Sequence, residues 1–189
     1  MNTKEKIIQS AIEQFKEKGF DMVSVPMICE KAQITKGTFY YYFRNKDEVM
    51  YEYVEQFLTE YSDVMSEILK TVSPREQLWK LYKYSFEKIV DLSPALLYAY
   101  YQADMKNGLL QLSPTKGNTF GYYTNTYTRL LKSLIEKGQM CNEIKNDHSA
   151  DDLMSAYSAI ICGIGLDWSC HKGCYDEIDY LKKMFEIVF

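Results

Sequence analysis

The sequence predicts an all-α protein of two parts, and two observations support this fold class. Apolar residues recur every three or four positions along most of the chain, and beyond Phe43 no stretch alternates as a half-buried strand would. Glycine, proline and capping residues divide this pattern into segments of helical length. We therefore expect a small N-terminal domain over 1–46, called the head, and a larger domain over 47–189, called the body.

The first helix is predicted from Lys4 to Lys18. One face of it is apolar and consists of Ile7, Ile8, Ala11, Ile12 and Phe15. The helix should end at Gly19, because glycine adopts the left-handed C-cap conformation at little cost, and Phe20 should fold back as a hydrophobic contact.

A helix-turn-helix is predicted at about 24–43. Ser24 is a good N-cap for its first helix, and Pro26 lies in the first turn, where a missing N–H does no harm. Residues 33–35 make the turn, and Thr35 caps the second helix.

The second of these two helices has an apolar and a polar side. Phe39 and Phe43 fall on the inner side at about 100° per residue. The outer side and its flanks carry Lys36, Gly37, Thr38, Tyr40 and Tyr41. Such a surface can approach phosphates and base edges without burying an unpaired charge, which predicts contact with DNA. The alternative is an ordinary amphipathic helix with a solvated face.

The next helix is predicted to start with Asn45 as its cap and Glu48 in the capping-box position. Lys46 belongs to the polar residues that the helix-turn-helix leaves facing outward. The candidate DNA-binding residues are Ser24, Thr35, Lys36, Gly37, Thr38, Tyr40, Tyr41 and Lys46.

The head resembles the DNA-binding domain of the tetracycline-repressor (TetR) family of bacterial transcriptional regulators. The residues that match, at family spacing and without a gap, are Phe15, Gly19, Phe20, Ser24, Ile28, Ala32, Ile34, Gly37, Tyr40, Phe43 and Lys46. The chain departs from the family pattern at Cys29 (usually alanine), Gln33 (usually glycine) and Tyr42 (commonly histidine). The resemblance implies a ligand-responsive regulator, most simply a repressor. In size and order of segments the body is similar to the multidrug-binding repressors of that family.

The charge distribution fits DNA contact at one end of the chain. Residues 1–46 contain 8 Lys and Arg against 5 Asp and Glu, whereas the whole chain has a net charge of −4. No segment reaches the roughly 20 uninterrupted apolar residues of a membrane span, and no apolar signal-peptide region follows the charged N-terminus. We expect a cytoplasmic protein that binds double-stranded operator DNA and no membrane.

The body is predicted to consist of helices separated by Ser-Pro and glycine breaks. Their expected ranges are 46–69, 74–92, 94–106, 118–137, 149–170 and 176–188, with a loop at 108–117. Ser155, Ala159 and Gly163 form a row of small side chains along one helix, which allows close approach of another helix. The resemblance implies that the last two helices form a four-helix bundle in a homodimer. The alternative is that this row packs within one chain.

Tyrosine is abundant, with 17 residues, and aromatic residues are frequent within 79–127. Aromatic rings with polar tips favour a cavity for flat or cationic small molecules. The candidate ligand-binding residues are Tyr82, Phe86, Tyr98, Tyr101, Asp104 and Tyr123. With Glu87 and Asp104 as countercharges, the composition predicts an aromatic, cationic effector.

No catalytic motif, phosphate loop or dinucleotide fingerprint is present, so we expect neither an enzyme nor a cofactor. A small-molecule carrier or an enzyme on the same fold is the alternative function. Another is a regulator that senses thiol oxidation or metal through Cys170, His171 and Cys174, although a structural zinc site needs four ligands. The operator, the effector and the regulated genes are not encoded in any motif.

Overall fold

The computed structural model describes residues 2–59, 62–107 and 126–189, and these residues form ten α-helices. The helices are α1 (Thr3–Lys18), α2 (Val25–Ala32), α3 (Lys36–Tyr42), α4 (Lys46–Thr59), α5 (Ser62–Lys70), α6 (Pro74–Val90), α7 (Pro94–Asn107), α8 (Thr126–Met140), α9 (Ala150–Cys170) and α10 (Glu177–Val188). The all-α prediction is confirmed. The loop predicted at 108–117 and the start of the helix predicted at 118 lie outside the described residues.

Most of the predicted signals at the ends of the head helices are present, although Ser24 makes no side-chain capping bond and Gly19 has a ψ of 147° in place of the left-handed helical value. Gly19 has φ 85° at the C-cap of α1, and Gln33 has the left-handed φ of 53° at the C-cap of α2. The Thr35 side chain caps α3 by accepting a hydrogen bond from the Thr38 amide. Each turn that positions α3 is therefore fixed by residues next to it in sequence.

The head helices share one apolar core that extends beyond the predicted domain boundary. Its members from α1 to α4 include Ile7, Phe15, Ile28, Phe39, Phe43, Val49, Met50 and Val54. Leu92 and Leu96, from the α6–α7 connection and α7, are buried in this same core. The first half of α4 therefore packs with the head, and α7 of the body contacts it directly.

The body has its own core between α6, α8, α9 and α10. Its centre is a group of four aromatic rings, Tyr82, Tyr157, Phe185 and Phe189. The Tyr82 and Phe189 rings stack at 6.0 Å between centroids, and Tyr82 meets Tyr157 edge-on at 4.5 Å. Aromatic packing thus joins α6 to α9 and α10.

Two details of the body differ from the expectations. Helix α8 continues to Met140 through Gly138, where we expected it to end. A Cβ atom at Gly138 would lie 2.6 Å from Ile144 Cδ1, so the glycine permits close packing instead of ending the helix. Helix α9 is long and apolar enough, by length and composition alone, to cross a membrane. It packs against α7, α8 and α10, as the core helix of a helical domain does.

Candidate DNA-binding surface and effector region

Helix α3 is held by its apolar side and displays its polar side. Phe39 is fully buried and Phe43 is 2% exposed, and their rings pack 5.9 Å apart. The hydroxyl groups of Thr35 and Thr38 lie 2.9 Å from each other at the start of the helix. These contacts orient α3 through Thr38, which we predicted on the outer side, and leave Lys36, Gly37, Tyr40 and Tyr41 free of that task.

The outer side of α3 is a surface of polar-tipped aromatic residues and one lysine, formed by Lys36, Gly37, Tyr40 and Tyr41. The Tyr41 side chain is 81% exposed and that of Tyr40 is 56% exposed. The Tyr41 ring meets the Tyr42 ring edge-on at 4.9 Å, so a neighbouring ring supports it. Large aromatic side chains this exposed indicate a contact with another molecule.

Packing within the chain does not explain the glycine in this surface. A Cβ atom at Gly37 would meet only Thr35 Oγ1, at an ordinary 3.6 Å. Glycine in a helix costs about 1 kcal/mol relative to alanine. A glycine that internal packing does not require is consistent with close approach of another molecule, such as a DNA backbone, to this face of the helix.

Other predicted and unpredicted polar residues surround α3. Ser24 is exposed at the N-cap of α2 and makes no side-chain capping bond, which leaves its hydroxyl and the first amides of α2 available to a phosphate. Arg44 is exposed directly after α3, with its amide bonded to Glu48 Oε2. We did not predict Arg44 as a DNA contact, although a basic residue just beyond the polar helix was the available signal.

Lys46 does not face outward with these residues, which corrects our assumption about its orientation. Its Nζ donates hydrogen bonds to the carbonyl oxygens of Phe20 at 2.6 Å and Val23 at 3.0 Å, and lies 3.4 Å from that of Asp21. The same ammonium lies 4.4 Å from the centroid of the Phe20 ring. These contacts direct the Lys46 ammonium towards the carbonyl oxygens of the α1–α2 turn.

Four of the six predicted ligand-binding residues have side chains that the structure describes, and these four do not lie together. Tyr82 and Phe86 lie in the body core, 2% and 1% exposed. Tyr101 belongs to a separate cluster with Leu97 and Trp168. Tyr98 is exposed and lines an open groove of 740 Å³ between α7 and the end of α9. The Asp104 side chain and Tyr123 lie outside the described residues.

The countercharge that we assigned to Glu87 is wrong. Its carboxylate pairs with Lys83 Nζ at 2.9 Å on the surface of α6, and its side chain is 45% exposed. A solvated, paired carboxylate creates no demand for a cationic ligand. The aromatic, cationic effector is therefore not supported.

Buried polar groups mark a different region between α6 and α8. The Ser85 hydroxyl and the Tyr127 hydroxyl lie 2.8 Å apart in the interior, and Thr128 beside them is 1% exposed. On α7, the Tyr100 ring contacts the Tyr51 ring of α4 edge-on at 5.6 Å. These four helices place hydroxyl-bearing side chains in or beside the apolar interior.

The row of small residues on α9 faces away from the rest of the chain. Gly163 is exposed, and a Cβ atom there would have nothing within 4 Å. Ala159 and Ser155 are only half-buried. On α10, Tyr180 and Ile187 are exposed seven residues apart, on one helix face. Both final helices therefore have apolar surface that the described residues of one chain leave uncovered.

The cysteines do not form a metal site within the described part of the chain. No three His, Cys, Asp or Glu residues there lie close enough to hold a metal ion. The His171 imidazole instead contacts Asp167, and Cys170 and Cys174 are exposed free thiols. Burial raises the pKa of the Cys29 thiol, which keeps this cysteine protonated and unreactive at neutral pH.

Sequence comparison gives matches that agree with this geometry. The family described as "Bacterial regulatory proteins, tetR family" matches residues 7–53, which span the helix-turn-helix and the first half of α4. The chain is similar to the biofilm operon icaADBC HTH-type negative transcriptional regulator IcaR of Staphylococcus epidermidis. The two are 27% identical over 139 residues, which cover 68% of this chain and 74% of that protein.

Solved structures resemble the fold along the full chain. The fatty acid degradation regulator FadR from Bacillus halodurans superposes with a TM-score of 0.68 at 18% identity, over 100% of this chain and 95% of that one. The transcriptional regulator FadR from Bacillus subtilis, solved in complex with stearoyl-CoA, has a TM-score of 0.63 at 19% identity, over 97% and 96%. At such identities the similarity shows the fold alone.

Proposed function

We propose that this chain, as a DNA-binding transcriptional regulator of the tetR family rather than an enzyme, acts as a homodimeric repressor. In this proposal two copies of α3 enter successive major grooves of an operator in the cytoplasm. A small molecule bound in the body releases the DNA. The family therefore disfavours a carrier or an enzyme on the same fold.

The observation that carries the proposal is the exposed surface of α3. Tyr41 is 81% exposed, and Gly37 has no packing reason to be glycine. The exposed Tyr41 ring lowers the solubility of the isolated chain, and Gly37 lowers the stability of α3. Contact with a binding partner would account for both residues. Lys36 supplies the positive charge that a phosphate or a guanine edge needs.

We assign the DNA contacts by their positions around α3. Lys36, Tyr40 and Tyr41 reach the groove, and Gly37 allows the DNA to approach the helix backbone. Ser24, with the start of α2, and Arg44 contact phosphates on either side. Thr35 and Thr38 act mainly by capping α3, because their hydroxyl groups already bond to each other.

The proposed dimer uses α9 and α10. The exposed Gly163, with Ala159 and Ser155 along the same face, supports close packing of two copies of α9. Replacement of Gly163 by leucine should overpack this face and shift the protein towards monomer. Sedimentation velocity would measure the shift, and an intact dimer in this variant would move the interface elsewhere.

The proposed effector region lies among α4, α6, α7 and α8. The buried Ser85–Tyr127 pair and Thr128 support a ligand that is largely apolar with a few hydrogen-bonding atoms. Binding there must favour the conformation that does not bind DNA, since a ligand shifts a population only through unequal affinity. A long-chain acyl-CoA belongs in the test panel because a protein of the same fold was solved with one.

The DNA proposal is tested by selecting genomic fragments that bind the protein and measuring their affinity by mobility shift. Tyr41→Ala and Lys36→Ala should each weaken binding about tenfold or more. Lys145→Ala is the matched control, because this lysine is exposed in the loop between α8 and α9, outside the head. Absence of any selected sequence, or equal losses in all three variants, would contradict the proposal.

The effector proposal is tested on the same DNA fragments. Stearoyl-CoA, free stearate and neutral aromatic compounds are added to the preformed complex, and release is followed by fluorescence anisotropy. Replacement of Thr128 by valine should change the effective concentration of an active compound while leaving DNA affinity unchanged. An unchanged response in this variant would place the effector elsewhere.

A further inference from the structure

The open groove of 740 Å³ between the start of α7 and the end of α9 is used neither by the proposed DNA contacts nor by the proposed effector region. The Tyr98 ring is 40% exposed there, and Pro94 and Ala95 add apolar surface beside it. A groove of this size accommodates a small organic molecule, and the exposed ring favours one with a flat apolar body. The residues that line it include Ser93, Pro94, Ala95, Tyr98, Cys170 and Lys172.

The groove places a thiol beside this apolar surface. Cys170 is the last residue of α9, and its free thiol is exposed. Lys172 lines the same groove, and its ammonium forms no ion pair with any residue that the structure describes. A cysteine reacts as a nucleophile through its thiolate, and an ammonium donates hydrogen bonds to a carbonyl oxygen. The two groups together suit an electrophile whose reactive carbon is conjugated to a carbonyl group.

A buried donor without an acceptor lies behind one wall of the groove. Trp168 is 8% exposed, and its Nε1 has no hydrogen-bond partner among the described residues. Gly173 follows Lys172 of the lining, and a Cβ atom there would lie 3.1 Å from both Trp168 Cζ2 and Pro94 Cγ. The indole edge next to Nε1 therefore adjoins the Pro94 side of the groove. Buried N–H groups nearly always have an acceptor, and the carbonyl oxygen of a bound molecule would supply one.

The backbone is strained on both sides of the groove. Ser93 has a φ of 78° and Lys172 a φ of 57°, although neither is glycine. Residues held in such conformations cluster at ligand-binding sites, where the surrounding structure maintains them. The strain on the α7 side and on the α9 side therefore agrees with a binding role for the groove between them.

We propose that this groove is a covalent binding site for a flat α,β-unsaturated carbonyl compound, such as a quinone or an enone, and that Cys170 is the residue that it modifies. The Cys170 thiolate adds to the β-carbon, so that a C–S bond forms while the C=C π bond breaks. The electron pair of the π bond moves to the α-carbon, which takes a proton from solvent, and neither oxidant nor reductant is needed. The groove contributes by holding the electrophile beside the thiol, which raises its effective concentration.

The adduct should weaken operator binding, a consequence that rests on the proposed function. Leu92 and Leu96 flank the groove residues 93–95 in sequence and are buried in the head core. A ligand held between the start of α7 and Cys170 therefore acts on the segment of the body that contacts the head. It lowers DNA affinity if it fits the conformation that does not bind DNA better than the one that does.

The capture is tested with N-phenylmaleimide and N-methylmaleimide, which share one reactive group and differ in the ring. Mass spectrometry of digested samples gives the rate of each reagent at each exposed thiol of the full chain. Cys141 and Cys174 are exposed free thiols that do not line this groove, so they are internal controls. The ratio of phenyl to methyl rates at Cys170 should exceed that at the controls about fivefold or more, because the ring stacks on Tyr98. Equal ratios at all three thiols would overturn the proposal.

Two variants separate the groove from the thiol. Tyr98→Ala keeps Cys170 and removes the exposed ring, so the ratio of rates at Cys170 should fall to that of the controls. Cys170→Ser should abolish the adduct in the groove and leave labelling of Cys141 and Cys174 at wild-type rates. Both altered side chains are exposed, so neither change empties the core. An unchanged ratio in Tyr98→Ala would contradict the role of the groove.

The effect on DNA is measured by mobility shift before and after labelling with N-phenylmaleimide. Labelling should lower the operator affinity of the wild type about tenfold or more and leave that of Cys170→Ser unchanged. A selective adduct at Cys170 with unchanged operator affinity would overturn the regulatory consequence. If the unlabelled wild type binds no selected DNA, the proposed function fails, whereas the maleimide ratios still decide whether the groove captures electrophiles.

Discussion

Aromatic residues are used in two different ways in the two halves of the molecule. In the head, Phe39 is fully buried and Tyr41, two residues later, is 81% exposed. In the body, Tyr82 and Phe86 lie one turn apart on α6 and are both buried in one core. Helix α3 thus buries one aromatic side chain in the head core and exposes another to solvent. Helix α6 buries both of these rings in the body core.

This difference shows that an aromatic residue indicates a binding surface only when packing within the fold does not explain its position. Tyr41 has no internal packing role that would account for it beyond its edge contact with Tyr42. Tyr82 touches the rings of Tyr157 and Phe189 and would be needed for packing without any ligand. A count of tyrosines cannot distinguish these cases.

The largest effects are expected from removing a core ring in each half. Phe39→Ala and Phe86→Ala should each lower the free energy of unfolding by about 3–5 kcal/mol, because both side chains are buried and leave a cavity. Phe39→Ala should also abolish DNA binding, since α3 loses its support. Urea denaturation of both variants measures the loss. A Phe86→Ala protein of normal stability that no longer responds to an effector would restore Phe86 as a ligand residue.

The next largest effect is a difference in stability between alanine substitutions at two glycines of α9. A Cβ atom at Gly165 would overlap the Tyr101 hydroxyl, whereas one at Gly163 meets nothing. Gly165→Ala should therefore lower stability by about 1–2 kcal/mol, and Gly163→Ala should not. Thermal melts of the two variants measure the difference. Gly165→Ala should cost less stability in a Tyr101→Phe background than in the wild type, and an equal cost in both backgrounds would refute the steric cause.

Alanine substitution of a glycine on the surface of the head should raise stability, in contrast to Gly165→Ala. Gly37→Ala should raise the free energy of unfolding by about 0.5–1 kcal/mol, because alanine favours the helix and the added methyl group has room. The same change should weaken operator binding. Denaturation and mobility shift on one preparation measure both. A variant that is more stable and binds DNA normally would show that no group approaches this position.

The smallest effect is a pH dependence at the end of the body. Hydrogen bonds from Arg75 and Lys182 hold the pKa of Glu186 below its usual range. A lowered pKa in the folded state stabilises the protein at neutral pH, and this contribution is lost as pH falls through the folded pKa. Glu186→Gln should cost less than about 1 kcal/mol at pH 7, because the pair is partly exposed and solvent screens it. The cost should vanish in acid, and a pH-independent cost would exclude this origin.

The prediction of the head succeeded where neighbours in sequence fix the structure. The αL conformation at Gln33 and the cap at Thr35 depend on residues within four positions, and helical periodicity over the same distance places Phe39 and Phe43 on one face of α3. Lys46 is the instructive exception. Its partners lie 23 to 26 residues away, so no local pattern could show that its ammonium turns inward.

In the body the helices were predictable and the site was not. The capping serines at 73 and 149 each precede a helix as expected. Whether Tyr101 joins Trp168 or a ligand cavity depends on how α7 lies against α9, a contact between residues more than 60 positions apart. Glu87 failed as a countercharge because Lys83, one turn earlier, pairs with it on the surface.

The sequence by itself determined the all-α class, the helix-turn-helix and the polar face of α3, because helical periodicity, caps and turns act over a few residues. Only the tertiary structure decided that Lys46 supports the head, that Tyr82 and Phe86 form core, and that Gly163 faces out while Gly165 is covered. The physical reason is that burial depends on which helix packs on which face, and helices far apart in the chain supply that packing.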